Sequence, residues 1–222
     1  MLRLVLRNWG SPVWRLLTVV PVLFVCASAV LAASPPAAEP QPDPQYERVI
    51  AERAAKIVAP LELADAEQAA RVAGLIADQY RSLSALHARR DALRAAGDQD
   101  DAGRQAALQA IAVEQYQLHR GYLARLAAEL PAAQIDQIKD GMTYGVVAGT
   151  YGRYLQLLPE LTPDERRQIK AWLIEAREYA MDGGSSEEKH GWFRKYKGRI
   201  TNYLSQRGYD LAAAEQRLAE GE

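Results

Sequence analysis

From Tyr46 onward apolar residues recur at spacings of three and four, the repeat of a helix with one buried face, and the spacing predicts four or five helices. The clearest pair is a hairpin. Val72, Ile76, Tyr80, Leu83 and Leu86 make one apolar face, and Asp65 followed three residues later by Gln68 is a capping start for it. GDQDDAG ends that helix, and a return helix over about residues 104–130 puts Leu108, Ile111, Tyr122, Leu126 and Leu130 on its buried side.

Pro131 can open another helix through Ile135 and Ile138, since its missing N–H is no loss in a first turn. The pattern then breaks in KDGMTYGVVAGTYGRYLQLLP, where Gly141, Gly145, Gly149 and Gly152 interrupt a segment carrying Tyr144, Tyr151 and Tyr154. Glycine weakens a helix yet lets backbones approach closely, so residues 141–158 read either as a glycine-striped helix or as an irregular passage, and the reading leans to irregular.

Thr162-Pro163-Asp164-Glu165 combines an N-cap, a proline at the first helical position and a glutamate at the third, predicting a helix to about Met181 with Ile169, Trp172, Leu173, Ala176 and Ala180 inward. Asp182-Gly183-Gly184 stops it, Ser185 with Glu188 starts the next helix, and a short helix from about Asp210 to Leu218 closes the chain. On the helix after Ser185, the residues Trp192, Phe193, Tyr196, Ile200, Tyr203 and Leu204 fall within an arc of roughly 120°, the width of a core-facing stripe. Gly191 and Gly198 share its polar side with Arg194, Lys195 and Asn202, leaving a bare patch for a neighbouring helix or a ligand. The fold class is therefore all-α, a single-domain helical bundle over residues 45–222 with one glycine- and tyrosine-rich irregular segment.

The first 32 residues change the picture of compartment. Arg3, Arg7 and Arg15 precede a seventeen-residue apolar run over residues 16–32, and Val30-Leu31-Ala32 offers small side chains to a signal peptidase. This predicts a signal peptide cleaved near Ala32, a periplasmic or secreted protein, and no stable membrane anchor after cleavage. ASPPAAEPQPDP, residues 33–44, holds five prolines in twelve positions and reads as a solvated linker. The single cysteine, Cys26, lies in the leader, so the mature chain has no disulfide and folds by burial alone. Cleavage leaves 24 basic and 28 acidic residues, a net charge of −4, which argues against nucleic acid as a partner because that affinity rests on a basic surface.

Three phrases, KDGMTYGV (residues 139–146), WLIEAREYAMDGGSSEEKHGWF (residues 172–193) and KYKGRITNYLSQRGYDL (residues 195–211), are similar to an exported bacterial family known as domain of unknown function 3826, described as sugar-binding. The resemblance covers about residues 61–218, including the surroundings of His87 and His119, and implies a carbohydrate partner (oligosaccharide or polysaccharide) and a role accessory to polysaccharide degradation. It carries over no catalytic residue.

A pyranose presents C–H faces that flat rings can cover and hydroxyls that planar donors and acceptors can meet. Tyr144, Tyr151, Tyr154 and Trp192 are candidate rings; Lys139, Asp140, Arg153 and Asn202 are candidate polar partners. The three histidines are His87, His119 and His190. In the predicted hairpin His87 and His119 are offset by roughly 9 Å at about 1.5 Å per residue, which disfavours direct pairing but lets both line one elongated cleft. No metal-ligand spacing occurs, so neither a metal nor another cofactor is expected.

Catalysis stays open. Glu175 and Glu178 could act as the carboxylate pair of a glycoside hydrolase, and a polysaccharide lyase would need a base such as His87, Lys139 or Tyr144 beside a cation. GDQDDAG fails as a calcium loop because Ala102 and Gln109 stand in ligand places. A periplasmic chaperone is the remaining alternative, since LTPDE at Leu161 resembles the helix starts of envelope-stress chaperones, with Glu165 in place of their glutamine.

Overall fold

Asp43 caps the first described helix by accepting from the N–H of Gln45 at 2.9 Å, and Pro44 occupies its first turn. Proline content alone assigned Pro44 to the linker; it is instead the first residue of α1 (Pro44–Val58). The computed structural model describes residues 43–96 and 101–221. Residues 1–42, on which the leader and most of the linker expected from sequence fall, and residues 97–100 and 222 lie outside the described residues.

A one-turn 3-10 helix (Ala59–Leu61) leads to the long hairpin of α2 (Ala66–Ala95) and α3 (Asp101–Glu129). Asp65 caps α2 through the N–H of Glu67, while Gln68 reaches across the hairpin to the carbonyl of Glu129 at 2.6 Å. Helices α4 (Ala132–Met142), α5 (Val146–Leu157), α6 (Pro163–Ala180), α7 (Ser186–Gln206) and α8 (Leu211–Glu220) follow. Eight α-helices and no strand occur among the described residues, which establishes an all-α bundle. No helix among them is long and apolar enough to cross a membrane.

The glycine-interrupted segment is the main departure from expectation. It is helical on both sides of a break confined to Thr143, Tyr144 and Gly145, with Tyr144 and Gly145 at φ of 60° and 66°. Gly149 and Gly152 are tolerated inside α5 because Val147, Tyr154 and Leu157 bury one face of that helix, and tertiary burial outweighs a propensity cost of about 1 kcal/mol per glycine.

The same break separates two apolar clusters. Ile50, Val72, Ile76, Tyr122, Leu126, Ile138 and Met142 hold α1 to α4 together. Val147, Leu157, Ile169, Leu173, Phe193, Ile200 and Leu204 hold α5 to α8 together. Met181, at the end of α6, belongs to the first cluster, so the α6–α7 turn is anchored in the opposite half of the bundle. The capping box at Thr162 is complete: its hydroxyl accepts from the N–H of Glu165, and the Glu165 carboxylate accepts from the N–H of Thr162 at 2.9 Å. That geometry accounts for LTPDE as a helix start.

Candidate functional site

The seam between the two clusters is polar. Arg177, buried on α6, gives Nη2 to Asp136 at 2.6 Å and Nη1 to Asp140 at 2.8 Å, both on α4. Lys139 gives Nζ to Glu178 at 2.9 Å. His119 of α3 bonds through Nδ1 to Asp182 at 2.8 Å and lies 3.6 Å through Nε2 from Glu178. The hydrogen bond to Asp182, reinforced by the nearby Glu178 carboxylate, raises the His119 pKa to about 9, so its imidazole is charged at neutral pH. Burial opposes ionisation of Glu178, but the adjacent His119 imidazolium and the hydrogen bond from Lys139 outweigh it and hold the carboxyl at about 2. The second Asp182 oxygen, Oδ1, is buried without a partner.

This network forms part of the wall of a groove between α3 and the α6–α7 hairpin. One stretch, about 510 Å³, runs past Arg90, Gln115, Asp182, Glu188, Trp192 and Lys195. An adjoining one of about 340 Å³ is lined by Tyr116, His119, Glu178 and Tyr179 and shares Ala112, Gln115 and Asp182 with the first. Tyr179 stacks on Trp192 with centroids 4.6 Å apart, and Lys195 lies 5.0 Å over the Trp192 ring. Tyr116 and Tyr179 stay 59% and 48% exposed, so their rings are accessible beside charged donors and acceptors.

A second cavity, about 410 Å³, opens between α1, α2 and the start of α7. His87 and Tyr144 both border it. Tyr144 holds a left-handed backbone conformation, which costs a residue with a Cβ about 1–2 kcal/mol, and its ring stacks on His190 with centroids 5.6 Å apart. Burial, with Arg90 nearby, lowers the His87 pKa, and neither ring nitrogen has a hydrogen-bond partner.

The residues singled out from sequence are therefore divided. Trp192 and His119 border the groove, and Lys139 touches it through Glu178. His87 and Tyr144 border the second cavity, so the two histidines do not share a single cleft; the α6–α7 turn stands between them, with Gly183 lining both spaces. The tyrosine segment does not gather its rings. Tyr154 is 8% exposed in the core of the second half, and Tyr151 is partly buried against that core with Lys170 Nζ 5.9 Å from its ring centroid. On a helix, residues 144, 151 and 154 would share a side, but the break at Thr143 to Gly145 turns Tyr144 away from the other two. Asn202 is exposed on α7 and lines neither the groove nor the second cavity.

A Cβ at Gly191 or Gly198 would meet nothing within 4 Å, so no helix among the described residues packs on those two positions; Gly191 borders the groove. Glu175 and Glu178 do not act together: Glu178 serves the seam, whereas Glu175 faces Arg199 at 3.7 Å on the surface. Sequence reasoning did not single out Tyr116, Tyr179 or Lys189, and read Asp182-Gly183-Gly184 only as a helix stop. The one signal for that turn was its compactness, because two glycines after an aspartate permit a close approach.

No curated protein matches this chain. The family described as "Protein of unknown function (DUF3826)" matches residues 47–221, nearly all of the helical bundle, and the chain belongs to that family.

Proposed function

We propose that the protein binds carbohydrate along the groove between α3 and the α6–α7 hairpin. One observation carries the reading: Tyr116, Tyr179 and Trp192 border a groove that also holds Gln115, His119, Glu178 and Asp182. Rings cover the C–H faces of a pyranose while the fixed donors and acceptors meet its hydroxyls. The groove is open along its length, which suits a chain of sugar units better than a small metabolite. Export, and service beside enzymes that dismantle polysaccharide, belong to the same proposal and are supported by the leader-like residues 1–32 and the family resemblance.

Tryptophan emission tests it. Trp172 stands edge-on to Tyr203 at 5.0 Å, away from the groove, whereas Trp192 borders it, so Trp172→Phe should keep a sugar-dependent change and Trp192→Phe should remove it. Tyr179→Ala should weaken binding of the responding oligosaccharide about three- to tenfold, the worth of one aromatic contact. A panel of uronic-acid-containing, rhamnose-containing and neutral oligosaccharides that leaves emission and calorimetric heat unchanged would refute the reading. So would an affinity indifferent to both Trp192→Ala and Tyr179→Ala.

A further inference from the structure

The second cavity has the chemistry of an anion receptor. Arg53, Tyr80, His87, Tyr144, Ser186 and Lys189 line it, bringing together α1, α2, the α4–α5 break and the first turn of α7. Lys189 is only 6% exposed and donates one hydrogen bond, from Nζ to the carbonyl of Met181 at 3.0 Å, leaving two of its three donors for a ligand. Burial lowers its pKa to about 8, so at neutral pH it is an ammonium held among few compensating partners. Arg53 lines the same space and makes no ion pair among the described residues.

The acidic groups nearby are already committed. Asp91 borders the cavity but lies 3.0 Å from Arg90 and 3.7 Å from Arg94. Glu188 pairs with Arg90 at 2.6 Å and caps the N–H of Gly184 at 2.8 Å. Asp182, which acts on Lys189 through space, is bonded to His119. The cationic groups are thus left in excess at the N-terminus of a 21-residue helix, whose first-turn amides and dipole also favour negative charge.

A second and independent observation points the same way. His87 is 6% exposed with both ring nitrogens unpartnered, in a place where a buried polar group ordinarily finds a hydrogen bond. It fits only because residue 184 is glycine: a Cβ there would sit 2.9 Å from Cγ of His87 and closer still to Nδ1. Tyr144, 56% exposed, supplies a flat ring at the edge of the same space.

We propose that this cavity binds the carboxylate of an acidic sugar unit, a uronate. Lys189 and Arg53 pair with the carboxylate, His87 hydrogen-bonds to the ligand, and the Tyr144 ring covers a face of the sugar. The saccharide part rests on the carbohydrate reading above; the carboxylate part does not.

Calorimetric titration of the whole chain with galacturonate, galactose and acetate tests it. Galacturonate should bind, galactose should not, and acetate should compete more weakly than galacturonate. Lys189→Met, which keeps the apolar stem, and Arg53→Gln, a change at an exposed position, should each raise the Kd at least tenfold while circular dichroism stays unchanged. Nitrogen-15 imidazole shifts of His87, assigned through His87→Gln, should move on addition of galacturonate. Equal binding of galactose and galacturonate overturns the proposal, as does a Kd unchanged in both charge variants or an unmoved His87 resonance. Acetate binding as tightly as galacturonate overturns the sugar part. Galacturonate binding that survives Trp192→Phe with no change in tryptophan emission supports this cavity even if every oligosaccharide fails in the groove.

Discussion

Raising the pH from 6.5 to 8 should destabilise the fold by about 2 kcal/mol, and His119 should account for the loss. Its imidazolium bridges α3 to Asp182 of the α6–α7 turn and to Glu178 of α6, which ties the two apolar clusters together. The folded group titrates near 9 against an ordinary value of 6.5, so between those limits the folded chain holds a proton that the unfolded chain has released. Stability is therefore complete below 6.5 and falls by about 1.4 kcal/mol per pH unit above it. Lys189 acts in the opposite sense at higher pH. Its folded pKa of about 8 lies below the ordinary 10.5, so from 8 upward the unfolded chain binds the extra proton and stability rises. The two slopes offset each other between 8 and 9, which leaves 6.5 to 8 as the clean window.

Urea unfolding at fixed ionic strength, followed by far-ultraviolet circular dichroism at half-unit pH steps, measures this directly. The wild type should lose stability to pH 8 and then level off; His119→Gln should start lower and show no fall in the window. In Lys189→Met the loss should continue to pH 9. A flat wild-type curve from 6.5 to 8, or an equal slope in His119→Gln, refutes the bridging role.

Further perturbations follow from single contacts. Thr162→Ala removes the hydroxyl that accepts from Glu165 N–H and should cost about 1 kcal/mol in chemical denaturation. Gly198→Ala places a methyl group in open space on a helix interior and should stabilise by about 1 kcal/mol, whereas a loss of stability would mean that a partner element covers that face. Gly184→Ala should displace the His87 ring, seen as a shift of its imidazole resonances together with a lower unfolding midpoint. Tyr144→Gly relieves the left-handed backbone and should raise stability by about 1 kcal/mol while weakening any ligand held at the second cavity.

Helix starts were the most legible features of the sequence, because a cap is satisfied within three or four residues. Thr162 with Glu165 forms the full box its spacing suggested, and Ser185 accepts from the N–H of Glu188 as expected, although the Glu188 carboxylate turns to the N–H of Gly184 instead of closing a box; Asp210, placed only as the start of the last helix, caps it. The inward stripes of α6 and α7 were legible for the same local reason: Ile169, Leu173, Phe193, Ile200 and Leu204 repeat at helical spacing and all are buried. The segment over residues 141–158 was misread because its glycines carry a local penalty, whereas the burial of Val147, Tyr154 and Leu157 that offsets it is a tertiary quantity.

The composition of the candidate sites lies at the other extreme. His119 and Asp182 are 63 residues apart, Lys139 and Glu178 are 39 apart, and Arg90 reaches Glu188 across 98. Periodicity and caps thus determined which residues are helical and which side of each helix faces inward, since both depend on neighbours within one or two turns. Which polar groups meet was decided by the tertiary structure alone. It seats Met181 in the far half of the bundle, so the α6–α7 turn crosses the seam and brings Asp182 against His119 and Gly184 against His87. No local pattern carries that information, because it depends on how two separately formed apolar clusters dock.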